Sequence, residues 1–252
     1  MAKLIVLGSS NAIPTKDHEN THLAVVCRDR TVLIDCVSNP IVRLEQAGID
    51  PLAINDVILT HFHPDHVSGV PLLLTDLWLM GRRTPLNIYG LDYTLERVEA
   101  MMELYSWSDW PDFFTVNFCR VSMDEMTLVF DTVDMRVYST PVRHLLPSIG
   151  LRIELKAEGK AVAYSCDTEP CAEVERLAQG ADVLLHEASG PFTGHSSAAQ
   201  AGDVARRAEV GALYLIHYPT GRYASGDLVA EAKARFPGNV HLATDLMEIN
   251  LE

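Results

Sequence analysis

Residues 59–71 read "LTHFHPDHVSGVP", and His61, His63, Asp65 and His66 fall within six consecutive positions broken by Pro64. Four ionisable side chains this close are costly to desolvate unless a divalent cation compensates them. The run "DVILT" just before them is apolar and β-branched, so it reads as a core strand that delivers the cluster at its end. In extended backbone His61 and His63, two apart, project to the same side, whereas the Pro64 turn redirects Asp65 and His66. The segment therefore offers one pair of ligands to one ion and a second pair to a neighbour. Imidazole combined with carboxylate suits zinc, and also manganese or iron.

The chain around this cluster has 252 residues, 48% hydrophobic and 21% charged. Such a chain buries a core without help from a disulfide or a structural metal, so a bound metal is expected to be functional. The formal net charge of −14 repels phosphate backbones at long range and argues against long nucleic acid as a partner. A compact anionic substrate stays open, because two bound dications would invert the local field. Cys27, Cys36, Cys119, Cys166 and Cys171 form no CxxC pair and are odd in number, as expected of reduced thiols. The apolar runs "KLIVLG" and "VPLLLTDLWLM" are too short or too interrupted for a signal peptide or a membrane span, so the expectation is a cytoplasmic protein with no membrane partner.

Working outward, "KLIVLG", "HLAVVC", "TVLIDC", "DVILT" and "LNIYG" read as strands. "NPIVRLEQAGI", "GVPLLLTDLWLMG" and "LDYTLERVEAMMELYSW" read as helices. Beyond residue 113, "FTVNFCRV", "TLVFDT", "MRVYSTPV", "SIGLRIEL" and "KAVAYSCD" are successive strands. Helices "PCAEVERLAQG", "SSAAQAGDVARRAEVG" and "GDLVAEAKARF" then alternate with strands "DVLLHEA", "ALYLIHY" and "VHLATD". There is no fixed-period repeat and no long polar linker, so residues 1–252 are expected to form one domain. Strand-rich halves interleaved with helices suggest an α/β, four-layer αββα sandwich, although periodicity alone does not separate it from other α/β layouts.

"THFHPDH" resembles the HxHxDH signature of the metallo-β-lactamase superfamily of dinuclear hydrolases. The resemblance implies three further ligands in order, and "STPVRH", "AVAYSCD" and "LYLIHY" supply His144, Asp167 and His217, each after an apolar strand. Carried over, it implies that His61, His63 and His144 hold one metal, that Asp65, His66 and His217 hold the second, and that Asp167 bridges them. The two divalent ions would be zinc, with manganese or iron as alternatives. Asp35 in "VLIDC" resembles the family's early aspartate that buttresses a ligand, and an ordinary strand-end aspartate is the competing reading.

Other motifs resemble the ribonuclease Z-like branch: "NAIPTKDHENT" its opening, "LLHEAS" its HEAT strand, "GHSSAAQAG" its HST helix start and "ATDLMEINL" its closing strand. This resemblance covers nearly the whole chain. It implies phosphodiester hydrolysis by a metal-bridging hydroxide, with Asp65 among the catalytic residues. His195 would donate a hydrogen bond or a proton to the phosphoryl or leaving oxygen, and Glu187 would orient His195. His186, alternating away on the same strand, receives no role.

Three departures bear on the substrate. Ribonuclease Z that processes transfer RNA carries a long arm between the third histidine and the bridging aspartate, and here His144 and Asp167 are only 23 apart. "HYPTGRY" is one residue longer than the family's turn, which displaces Arg222 and Tyr223, and "DCVSNP" replaces "DCGEG". The main reading is therefore a phosphodiesterase acting on a small or cyclic phosphodiester. A phosphoribosyl cyclic phosphodiesterase is the nearest small-substrate relative, although its cysteine-rich zinc loop is missing here. The alternatives are a ribonuclease Z-like RNA 3′-processing endonuclease, or a lactone or thioester hydrolase on the same fold. A non-catalytic module would have lost ligands, and none is lost. The aromatic run "LYSWSDWPDFF" is open between substrate lining, core and a homodimer contact.

Overall fold

Alternation along the strands sorts the apolar side chains into three buried layers. In β1 (Lys3–Gly8), Leu4 and Val6 face one layer and Ile5 and Leu7 the other. In β11 (Val183–Glu187), Val183 and Leu185 share the first of those layers, whereas Leu184 joins a third. Strands buried on both faces read as near-continuous apolar runs, as these do. The computed structural model describes residues 2–249 and Leu251.

The first sheet runs in the order β14 (Met247–Ile249), β1, β2 (His22–Val26), β3 (Thr31–Ile34), β4 (Ile54–Ile58), β5 (Leu86–Leu91) and β6 (Val116–Val121). The second runs β13 (Asn239–Leu242), β12 (Ala212–Ile216), β11, β10 (Lys160–Tyr164), β9 (Ser148–Leu155), β8 (Met135–Val142) and β7 (Thr127–Asp131). Their facing sides interdigitate Val6, Val25 and Ile58 with Val137, Leu151 and Leu185. Outside the first sheet lie α1 (Pro40–Gln46), α3 (Val70–Leu79) and α4 (Asp92–Glu103), which bury Leu44, Leu73, Leu77 and Val98. Outside the second lie α5 (Ala172–Ala178), α6 (Ala198–Arg207) and α7 (Leu228–Lys233), through Val174, Ala201, Val204 and Ala232. The architecture is the αββα sandwich that the sequence suggested.

Strand direction places the site. β3 and β4 are parallel, as are β10, β11 and β12, while β8 and β10 both run antiparallel to β9 between them. The carboxyl ends of β8, β10, β11 and β12 therefore open on one edge, where α/β sheets collect their ligands. The short helix α2 (Pro64–Val67) follows His63 and has proline at its first position, which suits a missing N–H.

Two expectations shift in detail. The helix expected through Trp107 ends at Glu103, because Ser106 turns left-handed (φ 51°) before a 3-10 turn at Trp107–Asp109. The closing strand "ATDLMEINL" is present as β14, with Asn250 outside the described residues. The aromatic run packs onto the outer helices: Trp110 stacks on Trp78 at 5.1 Å between centroids, and Phe114 is buried in the first sheet's outer layer.

Candidate metal centre

Each strand that reaches the edge ends by turning a donor inward. The chain leaves β3 at Asp35 (φ 61°), β10 at Cys166 (φ 55°) and β12 at His217 (φ 52°), all non-glycine residues in the left-handed region. Such conformations cost about 1–3 kcal/mol each and persist where surrounding contacts over-determine them. Here they aim Asp35, Asp167 and His217 at the loop that follows β4.

The expected donors converge. His61 Nε2 and His144 Nε2 each lie 3.0 Å from His63 Nδ1. Asp65 Oδ2 lies 3.5 Å from His217 Nε2 and 3.7 Å from His66 Nε2. Asp167 Oδ2 stands between the groups, 3.4 Å from His217 Nε2, 3.5 Å from His66 Nε2, and 3.9 Å from the Nε2 atoms of His61 and His144. Donors about 2.1 Å from a tetrahedral ion are about 3.4 Å apart, so this spacing fits two cations.

The outward ring nitrogens assign the tautomers. His144 Nδ1 donates to the Gly194 carbonyl (2.7 Å) and His66 Nδ1 to Asp35 Oδ2 (2.7 Å). Ser189 Oγ gives its only proton to the His217 carbonyl (2.7 Å), so it accepts from His217 Nδ1 (2.8 Å). Thr60 Oγ1 donates to Asp35 and lies 3.2 Å from His61 Nδ1. With these protons on Nδ1, the lone pairs of all four Nε2 atoms face the centre. His66 Nε2, His217 Nε2 and Asp167 Oδ1 are buried with no hydrogen-bond partner. Orphaned acceptors of this kind are costly unless a cation satisfies them.

Charge follows the same pattern. Burial lowers the pKa of His61, His63 and His144, keeping them neutral as ligands must be. Burial pushes Asp167 up, but His217 and His66 outweigh it and hold its carboxyl well below the usual range. Burial opposes protonation of His66, yet Asp167 and Asp35 overcome it and raise the pKa, so positive charge is favoured at that spot.

Glu187 is fully buried and not a surface carboxylate. Its Oε1 accepts from Thr168 N (2.8 Å) and His195 Nδ1 (2.9 Å), and its Oε2 accepts from Ser189 N (3.0 Å). Burial pushes its carboxyl above the usual carboxylate range, with the His195 hydrogen bond opposing the rise. Burial also opposes the charge on His195, but the Glu187 bond wins and raises the imidazole's pKa. The cap of α6 is Ser197, closing a capping box with Gln200, so His195 is free of that duty.

A cavity of about 310 Å³ over the donors is lined by His63, Asp65, Asp167, His195 and His217 together with Asn11, Ser189 and Phe192. Asn11, Ser189, Phe192 and the Gly194 carbonyl are not among the residues that the sequence singles out. An aromatic residue in the Gly- and Pro-rich loop between "HEAS" and "HSS" was the available signal for Phe192; a carbonyl leaves none. No residue of the 105–114 aromatic run lines this cavity. Arg222 lies over the Tyr223 ring at 4.8 Å and is also absent from the lining.

A family model described as "Beta-lactamase superfamily domain" matches residues 30–218. The chain belongs to the beta-lactamase superfamily. Ribonuclease Z of Methanothermobacter thermautotrophicus is 29% identical over 308 residues, covering 100% of this chain and 97% of the relative. Among solved structures, the metallo-beta-lactamase fold protein YhfI from Bacillus subtilis superposes with a TM-score of 0.83 at 22% identity, covering 98% of each chain. Human tRNase Z, short form, does so at 0.78 and 22%, covering all of both chains. These two likenesses bear on the fold. Superfamily, fold and donor clusters together make this a dinuclear metal-binding site and the chain a metal-dependent hydrolase. No helix among the described residues is long and apolar enough to cross a membrane.

Proposed function

We propose that the chain is a phosphodiesterase that cuts RNA in the manner of ribonuclease Z. The observation that carries this reading is the whole-length similarity to ribonuclease Z, which favours it over the small-phosphodiester reading taken from the sequence. In this account His61, His63 and His144 hold one divalent ion, Asp65, His66 and His217 the other, and Asp167 faces both. Ions held there would supply Lewis-acid chemistry for the attacking water and the charge on phosphorus.

The chain's own residues do the rest. Glu187 fixes His195 by its Nδ1–H and leaves Nε2 to the cavity, where it holds the proton for the departing oxygen. Ser189, Gly194 and Asp35 lock the rings of His217, His144 and His66, so the donors are set before substrate arrives.

A second reading, a small or cyclic phosphodiester, has its own support. No lysine or arginine lines the cavity, and nothing there would grip further phosphates of a polynucleotide. The alignment with the Methanothermobacter enzyme spans 308 residues against 252 here, so that relative carries insertions this chain lacks. Zinc- or manganese-loaded protein should be assayed on precursor tRNA, cyclic nucleotides, a chromogenic phosphodiester and a lactone. Discrete RNA 3′ cleavage is the expected result. Turnover of small phosphodiesters alone selects the second reading, and turnover of the lactone alone contradicts both.

A further inference from the structure

The catalytic cavity does not end at the metal donors. It shares Ser189 and Phe192 with a larger cavity of about 500 Å³ between the amino end of α6 and the segment 219–231. Phe192 also lines a third cavity beside His195, so one residue borders all three. That ring is 66% exposed, although a phenylalanine normally hides its area in a core.

The loop beneath it is fixed from every side. Gly190 N donates to Ser196 O (2.9 Å), His195 N to Phe192 O (3.0 Å), and Gly194 N to Glu169 Oε1 (2.8 Å). Gly190 has φ +127°, and a Cβ there would stand 2.5 Å from the Phe192 ring, so only glycine lets the ring fold back over its own turn. A rigid loop thus presents a solvent-facing aromatic ring beside the reacting centre.

The lining of the large cavity says what would lie on that ring. Its floor is apolar, with Ala188, Leu228 and Leu242, and Tyr223 is a second aromatic wall. Asp227 and Glu231 are its ionisable carboxylates, and no lysine, arginine or histidine lines it. Such a surface rejects a phosphate and accepts a flat, uncharged group. We propose that this cavity is a base subsite: the nucleobase next to the scissile phosphate stacks on Phe192 while the phosphate sits over the donors. The proposal rests on the phosphodiesterase reading and names the part of the substrate that gives it selectivity. It holds for one nucleotide of an RNA and for a lone nucleotide ester alike, since it needs a single base.

Stacking on an aromatic side chain is sequence-tolerant and contributes about five- to hundred-fold in affinity per base. Calorimetric titration of the metal-loaded protein with adenosine 5′-monophosphate and with ribose 5-phosphate gives an affinity ratio that isolates the base. The wild type should favour the nucleotide by about ten-fold or more. Phe192→Ala and Phe192→Leu should collapse that ratio, and Phe192→Trp should keep it. Leucine retains an apolar loop tip, which separates loss of stacking from loss of the loop. Absence of a preference in the wild type, or a preference that survives both Ala and Leu, overturns the proposal. Should the protein hydrolyse no phosphodiester yet show the Phe192-dependent preference, the functional reading falls and the base subsite stands.

Discussion

Two sets of histidines in this chain stand in opposite surroundings. At the sheet edge His61, His63, His66, His144, His195 and His217 stand among Asp65, Asp167 and Glu187. Elsewhere His22 and His186 are as buried as His61 and His66 and also leave Nε2 without a partner, but among the described residues no carboxylate contacts either ring. Each donates Nδ1–H to a carbonyl, His22 to Asn20 and His186 to Glu187, and burial drops each pKa to about 4. A lone imidazole thus meets burial by staying neutral. Among the interleaved carboxylates the outcome is split: burial still lowers the pKa of His61, His63 and His144, whereas the acids beside His66 and His195 overcome it and raise theirs. Convergence with acids, rather than burial, marks a metal centre.

The strongest way to break this contrast is Asp167→Ala. Losing the carboxylate shared by both donor groups should remove bound metal and lower kcat/KM by about a thousand-fold or more, several kcal/mol of lost charge stabilisation. Metal analysis beside a phosphodiester assay reads both. His195→Ala should lower kcat by about a hundred- to ten-thousand-fold with metal content unchanged. Metal lost with His195 would move that residue into the ligand set.

The isolated histidines predict a stability effect with the sign set by burial. Unfolded, His22 and His186 each take a proton near pH 6.5; folded, only near pH 4. Between those values the unfolded chain binds more protons. Stability is therefore full above pH 6.5 and falls toward pH 4, by about 3 kcal/mol for each residue. His186→Leu should lose its share of that decline, read as the difference in urea-unfolding free energy between pH 7 and pH 4.5. Smallest of the four, Asp35→Asn should weaken metal binding by about ten- to a hundred-fold, because His66 loses the charged acceptor that fixes its ring. Competition with a chelator measures it.

The same contrast explains what could be read from the amino acids alone. "HFHPDH" carries four donors in one turn, and His144, Asp167 and His217 follow apolar strands in an order that resemblance makes meaningful. Strand alternation likewise exposes the layers, since Leu4 and Ile5 must face opposite sides. His22 and His186 show the limit of composition: a histidine in an apolar run looks alike whether it awaits a metal or only its own backbone. Of the groups that lock the rings, Asp35 was legible in "VLIDC", whereas Gly194 and Ser189 were not, for a different reason. Gly194 acts through a carbonyl that every residue has, and Ser189 through a hydroxyl brought to His217 by sheet register. Phe192 was hidden because its value lies in being exposed on a loop tied down by distant contacts.

The most direct test is an anomalous-scattering crystal structure of the zinc- or manganese-loaded protein. The account predicts two peaks, one bounded by His61, His63 and His144 and the other by Asp65, His66 and His217, with Asp167 reaching both and neither His22 nor His186 bearing metal. A single peak, or density that leaves either donor group unligated, would contradict it.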